Sequence, residues 1–321
     1  MTQSPVLLGM ATKLFFHVPS AAQSIVDGSF VSLLVNVAII VALGALFFVC
    51  AQKLYLPTVL SMSQGAQKKG KRKTIRKQGA LASYMSVELK QLVRTPAYLS
   101  NCVLGAFIMP IVLVLVFVIN PQIRELLPMA KALPLADMFN LWIFMFLLGA
   151  GSGFFFGSVN GISGTAFSRQ GRNLDFVKYI PLAMEKQILA KMGIGIAFSL
   201  LGTIIIVILA HFIFTYPVYY DLMFVLGALL STVLINQIAI LIDGLHPKLN
   251  WEDETQAVKN NMNVMAELFV SWLVLALFVG LFFLIDNLTV YTIVAGLVLV
   301  GLIVVFGIIT PKLVIKHLMK I

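Results

Sequence analysis

Long apolar runs recur along this chain and constrain its fold more than any other feature. A helical run of about 20 apolar residues crosses the roughly 30 Å of hydrocarbon in a bilayer. Backbone groups in lipid need partners within their own segment, so uninterrupted runs predict helices rather than the short alternating strands of a barrel. The runs of sufficient length are Phe30–Cys50, Tyr98–Ile119, Phe139–Val159, Gly193–Phe214, Met223–Ile242, Val264–Ile285 and Leu288–Ile309.

Composition agrees with an all-α polytopic membrane protein of about seven transmembrane helices. Of the 321 residues, 60% are hydrophobic and 11% are charged, whereas about a quarter of the residues in a soluble protein are charged. Cys50 and Cys102 lie in apolar runs, without the spacing of a disulfide framework or a metal site. The histidines are scattered and no Walker motif occurs, so we expect no cofactor, no metal and no catalytic residue.

Lysine and arginine residues are distributed unevenly over the two sides of this topology. Of the 23, ten lie in Gln52–Pro96, five in Phe167–Met192, two in Asp243–Asn263 and three in the C-terminal tail, and three lie on the other side. Because cytoplasmic loops carry the excess of basic residues, we expect a cytoplasmic C-terminus and an N-terminus outside the plasma membrane. The net charge of +10 then follows from topology and indicates contact with the lipid bilayer, not with nucleic acid.

Two short segments resemble each other and divide the chain. An apolar run followed by Lys-Leu occurs at Lys53 and again at Lys312, 259 residues later. We therefore expect residues 1–64 to hold an outside N-terminal segment and the last span of an incomplete first half. Residues 80–321 then form a six-helix half. Between them, residues 65–79 contain seven Lys or Arg residues and predict a solvated cytoplasmic linker rather than a ligand site.

The segment Leu81–Arg94 predicts an amphipathic helix that lies on the membrane surface before the next span. Its apolar stripe consists of Leu81, Met85, Leu89 and Leu92. Glu88 interrupts this stripe and indicates an ion pair or a contact with lipid headgroups, with a role in gating as the weaker alternative.

Inside the spans, two further features stand out. Glycines at four-residue spacing predict a smooth helix face for close packing, and they are Gly149, Gly153, Gly157 and Gly161. Glu267 lies near the inner end of its span, where we expect it to be solvated rather than to be a proton site.

The most polar stretch in the middle of the chain is Phe167–Met192, which separates two long spans. It carries five basic residues against Asp175 and Glu185. A turn between two spans requires neither this length nor these charges. The segment, named the elbow here, therefore predicts a cytoplasmic contact for a soluble partner, through which the surrounding spans are moved.

Three groups of residues lie on the predicted cytoplasmic side of the membrane. They are Glu88 and Arg94 on the surface helix; Ser168, Arg169, Gly171, Arg172, Lys178 and Pro181 in the elbow; and Asp243, Pro247, Lys248, Trp251 and Lys259 in the next inner loop. In this pattern the chain resembles the ABC exporter permeases of Gram-positive bacteria, which have a connecting helix before the first span and a coupling helix between the second and third. The resemblance covers nearly the whole chain, as the latter part of a fused two-half permease. It departs at Gln170, where an acidic residue is expected.

The resemblance implies a permease subunit that exports a substrate with ATP hydrolysed by a separate ABC ATPase subunit. The elbow residues would contact that ATPase, whereas the other two groups belong to the connecting helix and to the second cytoplasmic loop. The permease would work with a separate first half or a second copy. On this hypothesis, Arg169→Glu releases the ATPase from a folded chain, whereas Lys71→Glu in the linker leaves it bound. The alternatives are an ion-coupled secondary transporter, a membrane enzyme, and a truncated, non-functional permease remnant.

Overall fold

The computed structural model describes residues 24–55, 79–119, 141–214, 216–285 and 287–320. Contacts divide the chain into two units, Met1–Lys77 and Gln78–Ile321. The described ranges form helices and contain no strand, as the apolar runs predict. The predicted linker lies outside the described residues except for Gly79, so Lys71 also lies outside them.

The first unit contains one long helix, α1, at Phe30–Cys50, followed by a π-helical turn at Ala51–Tyr55. Ser29 caps the start of α1, because its side chain accepts a hydrogen bond from the backbone N–H of Ser32. None of the residues of α1 is buried. Its apolar side chains therefore require surrounding lipid.

The described residues of the second unit form a bundle that contains seven long helices. They are α2 (Ala80–Arg94), α3 (Leu104–Ile119), α4 (Leu141–Val159), α5 (Met184–Phe214), α6 (Val218–Leu245), α7 (Met262–Leu284) and α8 (Leu288–Leu318). By length and composition, six helices in the described part of the chain can span a membrane, or seven if α2 and the helix after it form one bent span. The predicted number of spans is confirmed.

Several helices extend past the apolar runs that predict them. The bounds of α1 agree with the prediction, but α5 begins nine residues earlier and α8 ends nine residues later. With 31 residues each, α5 and α8 are about 46 Å long, whereas the hydrocarbon is about 30 Å thick. Hydropathy marks only the part of a helix in lipid, so it misses the polar ends.

The predicted surface helix is present as α2. At Thr95, whose backbone is extended, the chain bends by 84° into a helix that begins at Pro96, and proline at the first position is favourable there. A bend near a right angle suits a helix along the membrane surface that leads into a span. The residues of the predicted apolar stripe do not share one environment. Leu92 is buried, whereas Leu81 and Leu89 are exposed.

The closest packing in the bundle joins α4 and α6. A Cβ atom on Gly149, Gly153 or Gly157 would overlap atoms of α6, so the predicted smooth glycine face is confirmed for these three. The prediction is wrong for Gly161, which lies beyond the end of α4 with a φ of +59°. Its role is to turn the chain, because this backbone conformation favours glycine.

Candidate functional site

Between the end of α4 and the start of α5, residues 160–183 form short helical turns rather than one coupling helix. The name elbow is used for residues 160–183 from here on, because the rest of Phe167–Met192 belongs to α5. The turns are Ser163–Thr165 and Ser168–Asn173, both 3₁₀, and one α-helical turn at Phe176–Tyr179. Gly161, before the first turn, and Gly171, inside the second, have positive φ angles. The elbow depends on tertiary contacts for its shape, since such short turns are not stable alone.

Asp243, near the end of α6, is the anchor of the elbow. Its buried carboxylate accepts hydrogen bonds from the backbone N–H groups of Phe167 (2.6 Å) and Ser168 (3.1 Å), and from the Ser168 hydroxyl. The side-chain amide of Asn263 in α7 donates a further bond of 2.9 Å. Hydrogen bonds to a charged acceptor are among the stronger ones, so Asp243 joins the elbow to α6 and α7.

Arg169 faces the interior of the elbow. Its Nη1 donates to the carbonyl of Ile162 (2.7 Å) and to Oγ1 of Thr165 (2.6 Å), and its guanidinium lies 5.9 Å from the centre of the Tyr98 ring. Only 3% of the residue is exposed. The prediction that Arg169 offers its charge to a partner is therefore wrong, because the protein's own backbone and hydroxyl groups already bind it.

A buried ion pair joins α2 to α5. Lys191 Nζ lies 2.5 Å from Oε1 of Glu88 and also donates to the carbonyl of Ala166 in the elbow (3.1 Å). Glu88 is 4% exposed, so the predicted ion pair is confirmed and the alternative of a headgroup contact is wrong. Through the bond to Ala166, this pair attaches the surface helix to the elbow.

Gln170 occupies the position where the family resemblance predicts an acid. Its amide Nε2 lies 3.4 Å from Oε1 of Glu88 and donates to it. A carboxylate at this position would face that of Glu88, and like charges at short range are unfavourable. The amide is thus compatible with the Glu88–Lys191 pair, whereas an acid would compete with it.

The loop after α6 folds back onto the elbow. Trp251 Nε1 donates to the carbonyl of Ser168 (2.9 Å), and the backbone N–H of Lys248 donates to the Ser168 hydroxyl (2.8 Å). Gly171 lies beneath the Trp251 ring, and a Cβ there would be 2.7 Å from the ring. The ammonium of Lys248 caps carbonyls of the loop itself, so Lys248 and Trp251 serve as internal contacts. Pro247 is half-buried and Lys259 is exposed.

One face of the elbow remains exposed. Phe176 is 68% exposed and Tyr179 is 82% exposed, and both belong to the same helical turn. Arg172 and Pro181 are exposed beside this turn. We call these four residues the aromatic face.

Two of the predicted cations, Lys178 and Arg94, have different surroundings. Lys178 pairs with Asp175 at 2.8 Å across one helical turn, whereas Arg94 is exposed at the end of α2. A surface ion pair of this kind contributes about 0.5 kcal/mol. Lys178 therefore offers less free charge to a partner than Arg94 or Arg172 does.

Glu267 contradicts the prediction of a solvated carboxyl. It is 0% exposed, and neither of its oxygens has a hydrogen-bond partner among the described residues. Its Oε2 occupies the space that a Cβ on Gly164 would need. Across the ranges given above, no group of three or more His, Cys, Asp or Glu side chains is arranged to hold a metal ion.

The comparisons with known proteins return one match. A family model described as "Membrane protein of 12 TMs" matches residues 2–310. The chain belongs to this family. No curated protein and no solved structure matches it. The family description gives a number of spans and no substrate, energy source or partner.

In this member of the twelve-span family, the elbow contacts the surface helix and the loop after α6, but the sequence alone does not identify all of the residues that join them. The sequence shows Lys191 only as one of five basic residues in Phe167–Met192, whereas the structure buries it against Glu88. Asn263 donates to Asp243, and Tyr98 covers Arg169. No local pattern predicts either contact, because the partners lie on different elements.

Proposed function

We propose that this protein is the transmembrane permease subunit of an ATP-driven exporter and that a separate ATPase subunit binds the aromatic face. The observation that carries the proposal is the contrast between the two sides of the elbow. Its inner side is fixed by buried charges, and its outer side presents Phe176 and Tyr179 with most of their surface exposed.

The inner side makes the elbow suitable for transmitting motion. Asp243 links it to α6 and α7, and Lys191 links it to α5 and to Glu88 of α2. Removing one partner of a buried ionic contact typically costs about 3–5 kcal/mol. A displacement of the elbow therefore moves the attached helices with it instead of detaching it from them.

The outer side has the composition of a protein contact. Tyr and Arg are enriched among the residues that dominate binding energy in interfaces, and Tyr179 and Arg172 meet that description. The aromatic face lies at the end of the bundle where the excess of Lys and Arg predicts cytoplasm, which is where an ATPase has access to ATP.

Tyr179→Ala tests the proposal, with Tyr219→Ala as the matched control. Both tyrosines are exposed, but Tyr219 lies at the start of α6, about 36 Å along the helix from Asp243. Each tagged variant is purified in mild detergent from the cells that naturally produce the protein. ATP turnover and retention of a subunit with Walker motifs are then measured.

We expect Tyr179→Ala to weaken retention by about 30-fold, as the loss of about 2 kcal/mol at an interface hot spot would. Tyr219→Ala should retain the ATPase at the wild-type level. The proposed contact would be excluded if both variants retained the ATPase equally, or if no ATP turnover co-purified with the wild-type chain.

We further propose that the permease acts as one half of a twelve-span assembly, with a second copy or a separate half as its partner. The family description supports twelve spans, while six or seven candidates occur in the described residues. Co-expression of two differently tagged copies distinguishes the two arrangements. Recovery of both tags together indicates a second copy, and recovery of one tag with another polytopic protein indicates a separate half.

A second candidate function is ion-coupled transport, and Glu267 is the observation that favours it. Buried ionisable residues in membrane spans often belong to proton or ion pathways, and this carboxyl accepts no hydrogen bond from the described part of the chain. Vesicles containing only the purified chain separate the candidates. Uptake driven by a proton gradient without ATP supports ion coupling, whereas transport that requires the ATPase supports the exporter.

A further inference from the structure

A cavity of about 720 Å³ lies between α4, α7 and α8 in the second unit, with Ile206 of α5 completing its wall. It begins near the connection between α7 and α8, at Phe282 and Leu288, and extends along α4. Seven phenylalanines line it. The volume falls in the range of about 300–1,000 Å³ that is typical of small-molecule sites.

The walls offer almost nothing to a polar ligand. Among the lining residues that the structure describes, none is charged, and Ser152 and Tyr291 are the two with polar side chains. The Ser152 hydroxyl donates to the carbonyl of Gly149 (2.8 Å), and the Tyr291 hydroxyl donates to the carbonyl of Phe278 (2.9 Å). With both donors committed, a polar group entering the cavity would lose its hydrogen bonds to water without replacement.

Gly151 gives an independent indication that the space is kept open. The neighbouring glycines Gly149 and Gly153 are explained by their contact with α6, where a Cβ would overlap. Gly151 points away from α6, since it is displaced by about 200° around the helix from Gly149, and a Cβ there would have no atom within 4 Å. It lines the cavity, so packing against another helix does not account for the missing side chain.

We propose that this cavity binds the hydrocarbon chain of an amphipathic, lipid-like molecule whose polar head stays outside it. Apolar walls without a free donor favour methylene groups, because burying these groups removes apolar surface from water. The assignment of this molecule as the cargo rests on the proposed exporter function. Binding of the chain itself does not require an ATPase.

The test uses palmitic acid that carries a photoreactive diazirine on its chain, with the full-length purified protein in detergent. Gly151→Leu fills the cavity, and Gly301→Leu is the matched control. Gly301 is exposed on α8, and it also has no atom within 4 Å of a built Cβ. Gly301 lies about 200° around the helix from Leu299, which lines the cavity, so a side chain at position 301 points away from the cavity.

We expect saturable labelling of wild-type peptides from α4 and α7, competed by palmitate but not by butyrate. Gly151→Leu should weaken binding about tenfold or more, since excluding about two methylene groups suffices for this change. Gly301→Leu should bind as the wild type does. The thermal unfolding midpoint of each variant shows whether it is folded. The peptides labelled in the wild-type protein give an independent result, because they do not depend on any substitution.

Unsaturable labelling spread over the lipid-facing residues of the wild type would overturn the proposal, since the cavity would then be empty or filled by the protein itself. Equal binding by folded Gly151→Leu and Gly301→Leu would also overturn it. If palmitate binds as expected but no ATP-dependent export occurs in any preparation, the hydrocarbon site stands and the exporter function fails. Stimulation of ATP turnover by palmitate that is lost in Gly151→Leu identifies the molecule as cargo rather than structural lipid.

Discussion

The guanidinium of Arg169 is enclosed by the carbonyl of Ile162, the hydroxyl of Thr165 and the ring of Tyr98. Arg169→Glu would place a carboxylate against acceptor groups with no donor to replace the guanidinium. We expect this change to lower the free energy of unfolding by about 3–5 kcal/mol, as leaving a buried charge uncompensated does. The measurement is the thermal unfolding midpoint and the yield in detergent.

Arg172→Glu is the control for this charge reversal, because Arg172 is exposed three residues along the same segment. It should fold with a nearly unchanged midpoint while altering any contact made by the aromatic face. If Arg169→Glu kept the wild-type midpoint and lost the ATPase, the guanidinium would act at the surface after all.

Glu267 allows a second prediction at the scale of the residue. An ionised carboxylate is costly to bury without a partner, and glutamine has nearly the same shape without a charge. We expect Glu267→Gln to fold with an unchanged or raised unfolding midpoint, whereas Glu267→Lys should fail to accumulate. A marked loss of stability in Glu267→Gln would indicate that the carboxylate has a bound ion or another partner in the native protein.

At the scale of the element, Gly171 determines how the elbow meets the loop after α6. Its φ of +53° disfavours residues with a Cβ, and a Cβ would approach the Trp251 ring to 2.7 Å. Gly171→Ala should lower the free energy of unfolding by about 2–4 kcal/mol, combining backbone strain with a displaced indole. The thermal unfolding midpoint and the rate of proteolysis in the elbow measure this effect.

Gly28→Ala provides the comparison for Gly171→Ala, since Gly28 has a φ of +60° and no atom within 4 Å of a built Cβ. It should show the backbone strain alone, about 1–2 kcal/mol. Equal effects of the two substitutions would mean that the ring of Trp251 moves aside without cost.

The sequence predicts the transmembrane spans but not the contacts within the elbow, because the two depend on different physical properties. Runs such as Phe30–Cys50 are set by the thickness of the hydrocarbon, which is a local property of about 20 consecutive residues. Whether a charge is buried depends on distant partners. Arg169 and Arg172 have the same composition around them, yet one lies under Tyr98 and the other is exposed.

The same limit applies to the charges in the helices. Glu88 interrupts an apolar stripe, so an ion pair could be predicted, but its partner Lys191 lies 103 residues away. For Glu267, proximity to the end of a span indicated contact with water. The chain instead covers it with the turn at Gly164, an arrangement that no local pattern encodes.

At the scale of the whole molecule, orientation in the membrane can be tested with Tyr179→Cys and Tyr219→Cys in a background without Cys50 and Cys102. The two tyrosines are exposed near opposite ends of α6 and its neighbours. Because the excess of Lys and Arg predicts that the elbow is cytoplasmic, we expect cysteine at position 179 to resist impermeant thiol reagents in intact cells and cysteine at position 219 to react. The reverse pattern would invert the topology. Ser168 is unsuitable for labelling, since it is fully buried.

The indole of Trp251, hydrogen-bonded to the elbow and half-buried over Gly171, gives the protein an optical reporter of its own. The chain has three tryptophans, so replacing Trp142 and Trp272 with phenylalanine leaves one emitter, located where the loop meets the elbow. Separation of the two would expose the indole to water, shift its emission to longer wavelength and increase quenching by iodide. The kinetics of the elbow can thus be followed by stopped-flow fluorescence without attaching a dye.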